Sequence, residues 1–129
     1  MPRTLVIQRF TGRTLPALLC DTARRLPAKV FLRFVDPAAP GAPPRAVTFA
    51  DFRRGVGRAA AMLEATGLGP GDRVLLLAEN SPEWQMTALG AQLLRAEPAA
   101  AFASLSAEPA RALALRVRPK AIFVGGHAQ

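Results

Sequence analysis

Hydrophobic positions along the chain follow two patterns, one typical of helices and one typical of strands that are buried on both faces. Both occur between Gly67 and Trp84. A turn rich in glycine and proline ends one helix, and the apolar run Arg73–Ala78 follows, as in a buried parallel strand. Ser81 then predicts an N-cap, with Pro82 in the first helical position. Helix, turn, buried strand and helix predict half of a parallel α/β unit.

The same alternation of helix and strand continues on both sides of this stretch. Apolar residues recur at helical spacing from Phe49 to Leu63, and Gly67 supplies the left-handed stop of this helix. Downstream, the sequence predicts a helix over 82–95, a strand over 99–104, a helix over 106–116 capped by Ser106, and a strand over 120–124. Strands separated by helices predict right-handed crossovers. The predicted fold class is therefore α/β, a three-layer parallel β-sheet with flanking helices.

A helix and a small β-hairpin are predicted before this parallel unit. Aromatic and β-branched residues at 30–35, and a shorter run at 45–49, predict two strands that are joined by the proline-rich loop 37–44. Thr14 can cap the preceding helix. The buried stripe of that helix is expected to comprise Leu15, Leu18, Leu19, Thr22 and Leu26.

Length and composition favour a single unit over residues 1–129. The chain has 129 residues, of which 50% are hydrophobic, which is enough for one domain with a core and too few for a large two-domain enzyme. A single cysteine excludes an intramolecular disulfide and is typical of a reducing compartment. The apolar stretch 88–103 is interrupted by charged residues and proline, so no transmembrane segment is predicted. A cytoplasmic location is expected.

The strongly basic balance of the chain does not by itself predict nucleic-acid binding. The formal net charge is +8 and the isoelectric point is about 11.6. The basic residues are almost all arginines, and they are scattered along the chain rather than interleaved with aromatic residues. A stacking platform for bases needs such aromatic residues. We therefore expect solvated helix faces and no nucleic-acid partner.

Candidate catalytic residues are few, and each has a plain structural interpretation. His127 is the only histidine, so a histidine-based triad or metal cluster is not expected within the chain. Cys20 is interpreted as a small core residue. Glu79 is expected to be solvated and Glu83 to complement its helix dipole, although the two could form an acid/base pair in a cleft. Trp84 is expected to be a buried anchor of the core.

Glycine-rich segments do not predict a phosphate site either. Gly55 and Gly57 fall inside a helix, where small residues allow close packing. The turn 67–71 precedes a strand, which is the wrong side for a phosphate at a helix N-terminus. Gly125-Gly126 follows a strand, the correct side, but lacks a specific motif. The sequence therefore predicts no catalytic residue, no cofactor-binding residue and no metal ligand in this chain.

Several segments together carry a family resemblance. They are Val-Thr-Phe-Ala-Asp-Phe (47–52), Gly-Leu-Gly-Pro-Gly-Asp-Arg-Val (67–74), Glu-Asn-Ser-Pro-Glu-Trp (79–84), Phe-Ala-Ser-Leu-Ser-Ala-Glu (102–108) and Pro-Lys-Ala-Ile-Phe-Val (119–124). In this order and at these spacings, the chain resembles the N-terminal portion of the AMP-forming acyl-CoA synthetases of the adenylate-forming superfamily. Segment 104–108 is most similar to the long-chain fatty acid–CoA ligase branch.

The resemblance implies a reaction as well as a fold. Family members convert a carboxylic acid and ATP to an acyl-adenylate and pyrophosphate and then pass the acyl group to coenzyme A, with Mg²⁺ assisting. The family's phosphate loop, adenylate motif, ribose-binding aspartate and catalytic lysine all lie downstream of the region present here. The resemblance therefore implies that this chain by itself binds none of ATP, Mg²⁺ and coenzyme A. The chain also departs from the family at Arg95-Ala96-Glu97, where a small Gly-Ala pair is common.

Two hypotheses about function follow. In the first, the chain is the N-terminal part of an AMP-forming long-chain fatty acid–CoA ligase, inactive alone and completed by a downstream polypeptide. In the second, it is a stand-alone, non-catalytic binding or interaction module that keeps part of the enzyme fold. In either case the apolar strand 120–124 is expected to leave an open sheet edge, which favours self-association or a partner.

Overall fold

The structure, a computed structural model, describes residues 13–125. Four helices and five strands form along this part of the chain, and they alternate from α2 onward. The helices are α1 (Leu15–Arg25), α2 (Phe49–Ala65), α3 (Pro82–Leu93) and α4 (Ala107–Val117). The strands are β1 (Val30–Phe34), β2 (Arg45–Thr48), β3 (Arg73–Ala78), β4 (Glu97–Ala101) and β5 (Ala121–Gly125). The order confirms the predicted α/β class, with a helix and a hairpin ahead of the parallel unit.

The parallel sheet has the strand order β4-β3-β5, with β3 in the centre. Leu75 pairs with Ala99 on one side and with Ile122 on the other. The chain passes from β3 to β4 through α3, and then returns past β3 to β5 through α4. Crossovers between parallel strands are right-handed almost without exception, so two crossovers that run in opposite directions place α3 and α4 on opposite faces of the sheet. These are the three layers that the sequence predicts.

The main core lies between the sheet and the helices α2 and α3. Val74 and Leu76 are fully buried and pack against Ala88 and Ala91 of α3. Leu75 points to the opposite face and is also fully buried. Burial on both faces explains why β3 is an uninterrupted apolar run rather than an alternating one.

A second core joins α1 and the hairpin to α2. β1 and β2 pair antiparallel, with an irregularity between Val30 and Leu32. Phe31 stacks on Phe49 and Phe52, with ring centroids 4.7 and 4.9 Å apart. Phe52, which is 1% exposed, is the largest fully buried side chain of the described residues. Because Met86 and Leu89 of α3 also pack here, α3 holds the two cores together.

The helix ends follow the predicted caps, with one exception. Thr14 and Ser81 accept hydrogen bonds from the backbone N–H groups of Ala17 (3.3 Å) and Trp84 (3.1 Å). Gly67 ends α2 in the left-handed conformation, with φ of 84°. Ser106 is the N-cap residue of α4, but its side chain accepts no cap hydrogen bond.

Three details differ from the sequence predictions. β4 begins at Glu97 and ends at Ala101, because the Glu97 N–H donates to the Asp72 carbonyl oxygen and draws Pro98 into the strand. The buried face of α1 is formed by Pro16, Leu19 and Ala23, whereas Leu15 and Leu26 are exposed. Trp84 is half-buried and packs at the margin of the main core instead of being enclosed in it.

Candidate binding crevice at the carboxyl ends of the parallel strands

The topology creates a crevice where β3 and β4 end. The loop after β3 leads to α3 on one face of the sheet, and the loop after β4 leads to α4 on the other face. Neighbouring parallel strands whose loops diverge in this way leave an opening between them, and such switch points are the usual ligand sites of open α/β sheets. Here the opening has a volume of about 480 Å³.

The walls of the crevice are apolar with a few polar groups at the rim. It is lined by Ala78, Glu79, Asn80, Trp84 and residues 100–104. Glu79 and Asn80 are exposed, and the Phe102 side chain is 81% exposed. No lysine or arginine is found among the lining residues of the described chain. The crevice therefore presents aromatic surface and a carboxylate, a combination that suits an uncharged or cationic group better than a phosphate.

The N-terminus of α3 positions the aromatic wall. Pro82 is buried at the start of the helix, and the Ser81 cap fixes the backbone at Trp84. One turn later, Thr87 donates from its hydroxyl to the Glu83 carbonyl oxygen at 2.8 Å. These contacts hold the first turn in place, so the indole side chain is directed between the sheet and the crevice.

Glu83 is engaged in an ion pair rather than in chemistry. Arg45 of β2 donates to its carboxylate at 2.7 Å and so ties the hairpin to α3. Partial burial would raise the pKa of Glu83, but the hydrogen bonds and charge of Arg45 outweigh it, with further hydrogen bonds from the first turn of α3, and the net pKa is lowered. Glu83 is therefore ionised at neutral pH, and no acid/base division with Glu79 is indicated.

Hydrogen bonds concentrate at the opposite, amino end of the sheet. Asp72 accepts from the Gly69 backbone N–H at 2.8 Å and from Lys120 Nζ at 3.1 Å. The hydrogen bond from Gly69 and then that from Lys120 lower the pKa of Asp72 below its ordinary value of 3.8. Lys120 in turn donates its backbone N–H to the Arg73 carbonyl oxygen. This cluster holds the amino ends of β3 and β5 together, and the Lys120 ammonium group is paired with the Asp72 carboxylate.

The remaining candidate residues are not brought together into a site. Cys20 is a free, partly buried cysteine on α1, on the hairpin side of the molecule. His127 lies outside the described residues, as does Gly126. Within residues 13–125, no group of three or more His, Cys, Asp or Glu side chains could hold a metal ion. None of the helices in that range has the length and apolar character needed to span a membrane.

Sequence reasoning did not identify the crevice itself. Its lining combines small residues of β4 with Trp84 and the loop 102–104, and none of these forms a ligand-binding motif. The available signal was topological: a strand order that reverses after β4 places diverging loops side by side. The strand order β4-β3-β5 cannot be predicted from the sequence, because tertiary packing decides on which side of β3 the strand β5 lies.

Fold and site together define an open parallel α/β protein with a crevice at its switch point, and comparisons place it among known proteins. A family model described as "AMP-binding enzyme" matches residues 19–129. The N-terminal domain of FACL13 from Mycobacterium tuberculosis is 27% identical, with a TM-score of 0.73 over 86% of this chain and 26% of that chain. A fatty acyl CoA synthetase from Mycobacterium tuberculosis is 26% identical, with a TM-score of 0.73 over 86% of this chain and 21% of that chain.

A benzoate CoA ligase from Burkholderia xenovorans LB400 shares the fold at 19% identity, with a TM-score of 0.72 over 86% of this chain and 21% of that chain. No curated protein matches the chain. Because the family model covers most of its length, the chain belongs to the AMP-binding enzyme family. It has the fold of the N-terminal part of these enzymes, and it spans only about a quarter of the FACL13 domain.

Proposed function

We propose that the chain is the opening part of an AMP-forming ligase that activates fatty acids as acyl-adenylates and transfers them to coenzyme A. The main support is the match to the FACL13 domain and to the fatty acyl CoA synthetase, at 27% and 26% identity over 86% of the chain. The segment Ser-Leu-Ser-Ala-Glu at 104–108, beside the crevice, is the basis for proposing a long-chain acid.

We further propose that residues 1–129 do not carry out adenylation by themselves. Stabilising the charge that develops on an α-phosphate requires positioned donors and cations. The crevice offers the Glu79 carboxylate, which repels phosphate, and Lys120 is bound to Asp72 at the opposite end of the sheet. The arginines among residues 13–125 lie on exposed surfaces, where they attract anions without orienting them.

The described residues do not fit Mg²⁺, ATP or coenzyme A. No group of three carboxylates, histidines or cysteines in 13–125 could coordinate a metal. The crevice lining contains no cation for a triphosphate or for the phosphates of coenzyme A. In this proposal all three bind the remainder of the enzyme, and the present chain forms a wall of the assembled molecule. A cytoplasmic location belongs to the same proposal and is supported by the single free cysteine.

The test is exchange of labelled pyrophosphate into ATP. The purified 129-residue chain, given Mg²⁺ and fatty acids of several lengths, is expected to show no exchange. The polypeptide encoded immediately after Gln129, produced separately and then added, is expected to restore it. Exchange that copurifies with the 129-residue chain would overturn the proposed inactivity. If the added polypeptide also lacks a Ser/Thr/Gly-rich loop followed by lysine and gives no exchange, the ligase proposal fails.

A non-catalytic binding module is the second candidate function. The observation that favours it is the crevice of about 480 Å³ with its half-buried Trp84. Trp84 is the only tryptophan, so its fluorescence reports directly on this site. Saturable quenching by small uncharged or cationic aromatic ligands, without any exchange activity in the presence of the downstream polypeptide, would favour the module over the ligase.

A further inference from the structure

An ion pair links the hairpin of β1 and β2 to the helix that bears Trp84. Arg45 Nη2 of β2 donates to Glu83 Oε1 in the first turn of α3 at 2.7 Å, across 38 positions of the sequence. Among the described residues, no other side-chain hydrogen bond joins the hairpin to α3. The hairpin and α3 also share the apolar cluster that contains Leu32 and Met86. Because apolar packing is non-directional, the ion pair is the contact that can orient the first turn of α3 relative to the hairpin.

The Arg45 guanidinium group is held from two sides. Phe34 lies directly opposite Arg45 in the pairing of β1 with β2. The Arg45 Cζ atom lies 5.6 Å from the centroid of the Phe34 ring, within the range of a cation–π contact. A planar guanidinium group that rests on an aromatic ring loses less freedom when it binds a carboxylate than a mobile surface side chain does. The pair with Glu83 is therefore better oriented than an ordinary exposed ion pair.

Glu83 and Trp84 are neighbours in the first turn of α3, but they face different parts of the molecule. Successive residues of a helix are rotated by about 100° about its axis. Glu83 faces α2 and the hairpin, beside Arg58 and Met86. Trp84 faces β4 and the crevice, and its backbone N–H is capped by Ser81. A rotation of this turn that displaced the Glu83 carboxylate would therefore displace the Trp84 indole as well.

We propose that Arg45 is a positioning residue for the crevice: it acts through Glu83 to fix the first turn of α3, and with it the Trp84 indole that forms the aromatic wall. Every contact in this chain of residues lies inside the described part of the molecule. None of them depends on what covers the crevice or on the proposed ligase chemistry. A movement of the hairpin is thereby transmitted to the shape of the crevice.

Trp84 fluorescence in the 129-residue chain tests the proposal without any ligand. The chain has one tryptophan and no tyrosine, so its emission reports on the crevice wall alone. Arg45→Met removes the guanidinium group but keeps an apolar side chain over Phe34. We expect the acrylamide quenching constant of Trp84 to rise by about 1.5-fold or more, with emission at longer wavelength, because loss of one exposed ion pair shifts a local equilibrium by about two- to fivefold.

Arg54→Met is the matched control. It removes a guanidinium group from the ion pair with Asp51 on α2, and the side chain of Arg54 is 62% exposed where that of Arg45 is 52% exposed. The control is expected to quench as the parent does. Measurements are made without denaturant on variants that circular dichroism shows to be folded, so a general loss of stability does not by itself change the emission.

A second set of variants tests whether Arg45 acts through Glu83. Glu83→Gln, a change of almost the same shape, is expected to reproduce the effect of Arg45→Met, and the double variant is expected to show no further change. Arg45→Lys keeps the charge and is expected to restore part of the parent behaviour. If Arg45→Met does not fold, Glu83→Gln carries the same test. The proposal is wrong if neither single variant changes Trp84 quenching, if Arg54→Met changes it equally, or if the two single effects add in the double variant.

Discussion

Gly90 marks a close approach of the α2 backbone to α3. A Cβ atom at this position would lie 2.8 Å from the Ala60 backbone nitrogen and 3.0 Å from the Ala59 Cβ atom. Real Cβ atoms do not come so close to a backbone, so the helix pair has its present separation because residue 90 lacks a side chain. The sequence analysis assigned this kind of role to Gly55 and Gly57 instead. Gly55 does face Met86, whereas Gly57 faces open space.

Two alanine substitutions separate helix propensity from packing. Gly57→Ala is expected to stabilise the protein by about 0.5–1 kcal/mol, because alanine loses less backbone entropy than glycine in a helix. Gly90→Ala gains the same entropy but pushes α2 and α3 apart, and it is expected to destabilise by about 1–3 kcal/mol. Urea midpoints at unchanged m-value measure both effects. Two stabilising changes of similar size would show that α2 and α3 are not closely packed at residue 90.

Local capping was predictable from the sequence, whereas the backbone conformation of Arg95 was not. The caps at Thr14 and Ser81 depend on neighbouring residues alone. The sequence analysis noted segment 95–97 only as a departure from a Gly-Ala pair, and the structure gives Arg95 a φ of 61°, in the left-handed region that favours glycine. The half-burial of Trp84 was not predictable either, because it depends on where β4 lies.

The turn before β3 organises the strands at the scale of secondary-structure elements. Asp72 holds this turn through Gly69 and reaches Lys120 at the start of β5. Arg73 donates to the Val117 carbonyl oxygen at the end of α4. These two hydrogen bonds join residues that are 44 and 48 positions apart in sequence. They therefore align the ends of elements that would otherwise meet only through apolar packing.

Acid titration of an Asp72→Asn variant tests this role. The pKa of Asp72 is lowered in the folded chain, so its charge contributes stability that is present above its unfolded pKa and is lost as pH falls through the folded value. The parent is therefore expected to be more stable than the variant at pH 7. The difference should shrink below about pH 3.8 and vanish once both chains carry a neutral residue 72. Urea midpoints against pH measure it, and a pH-independent difference would contradict the electrostatic role.

Element identity was predictable, but element boundaries and strand order were only partly so. The apolar run of β3 and the helical spacing of α2 are strong local signals, and both elements form where expected. β4 was misplaced by two residues at its start because Pro98 reads as a strand breaker in the sequence, whereas an edge strand accepts it. The crevice was missed because it depends on the order β4-β3-β5.

At the scale of the whole molecule, the two faces of the sheet are unequally covered. The α3 face carries the main core and the second core behind it. On the other face, no residue of α4 is buried within the described chain, and Leu115 is 63% exposed. A helix with so little burial contributes less stability than one enclosed between layers. The α4 face is therefore the one that a partner or the remainder of a longer enzyme has most to gain by covering.

Hydrogen exchange should reveal this inequality directly. We expect the amides of α4 (Ala107–Val117) to exchange at least about tenfold faster than those of α3 (Pro82–Leu93), because opening α4 exposes little apolar surface while opening α3 disrupts both cores. The two helices have similar lengths of 11 and 12 residues, so helix length does not account for the difference. Mass spectrometry of peptic peptides at low protein concentration measures both segments in one sample. Equal protection in the two helices would mean that α4 opens only with the whole domain, and that its exposed face is stabilised by contacts other than those described here.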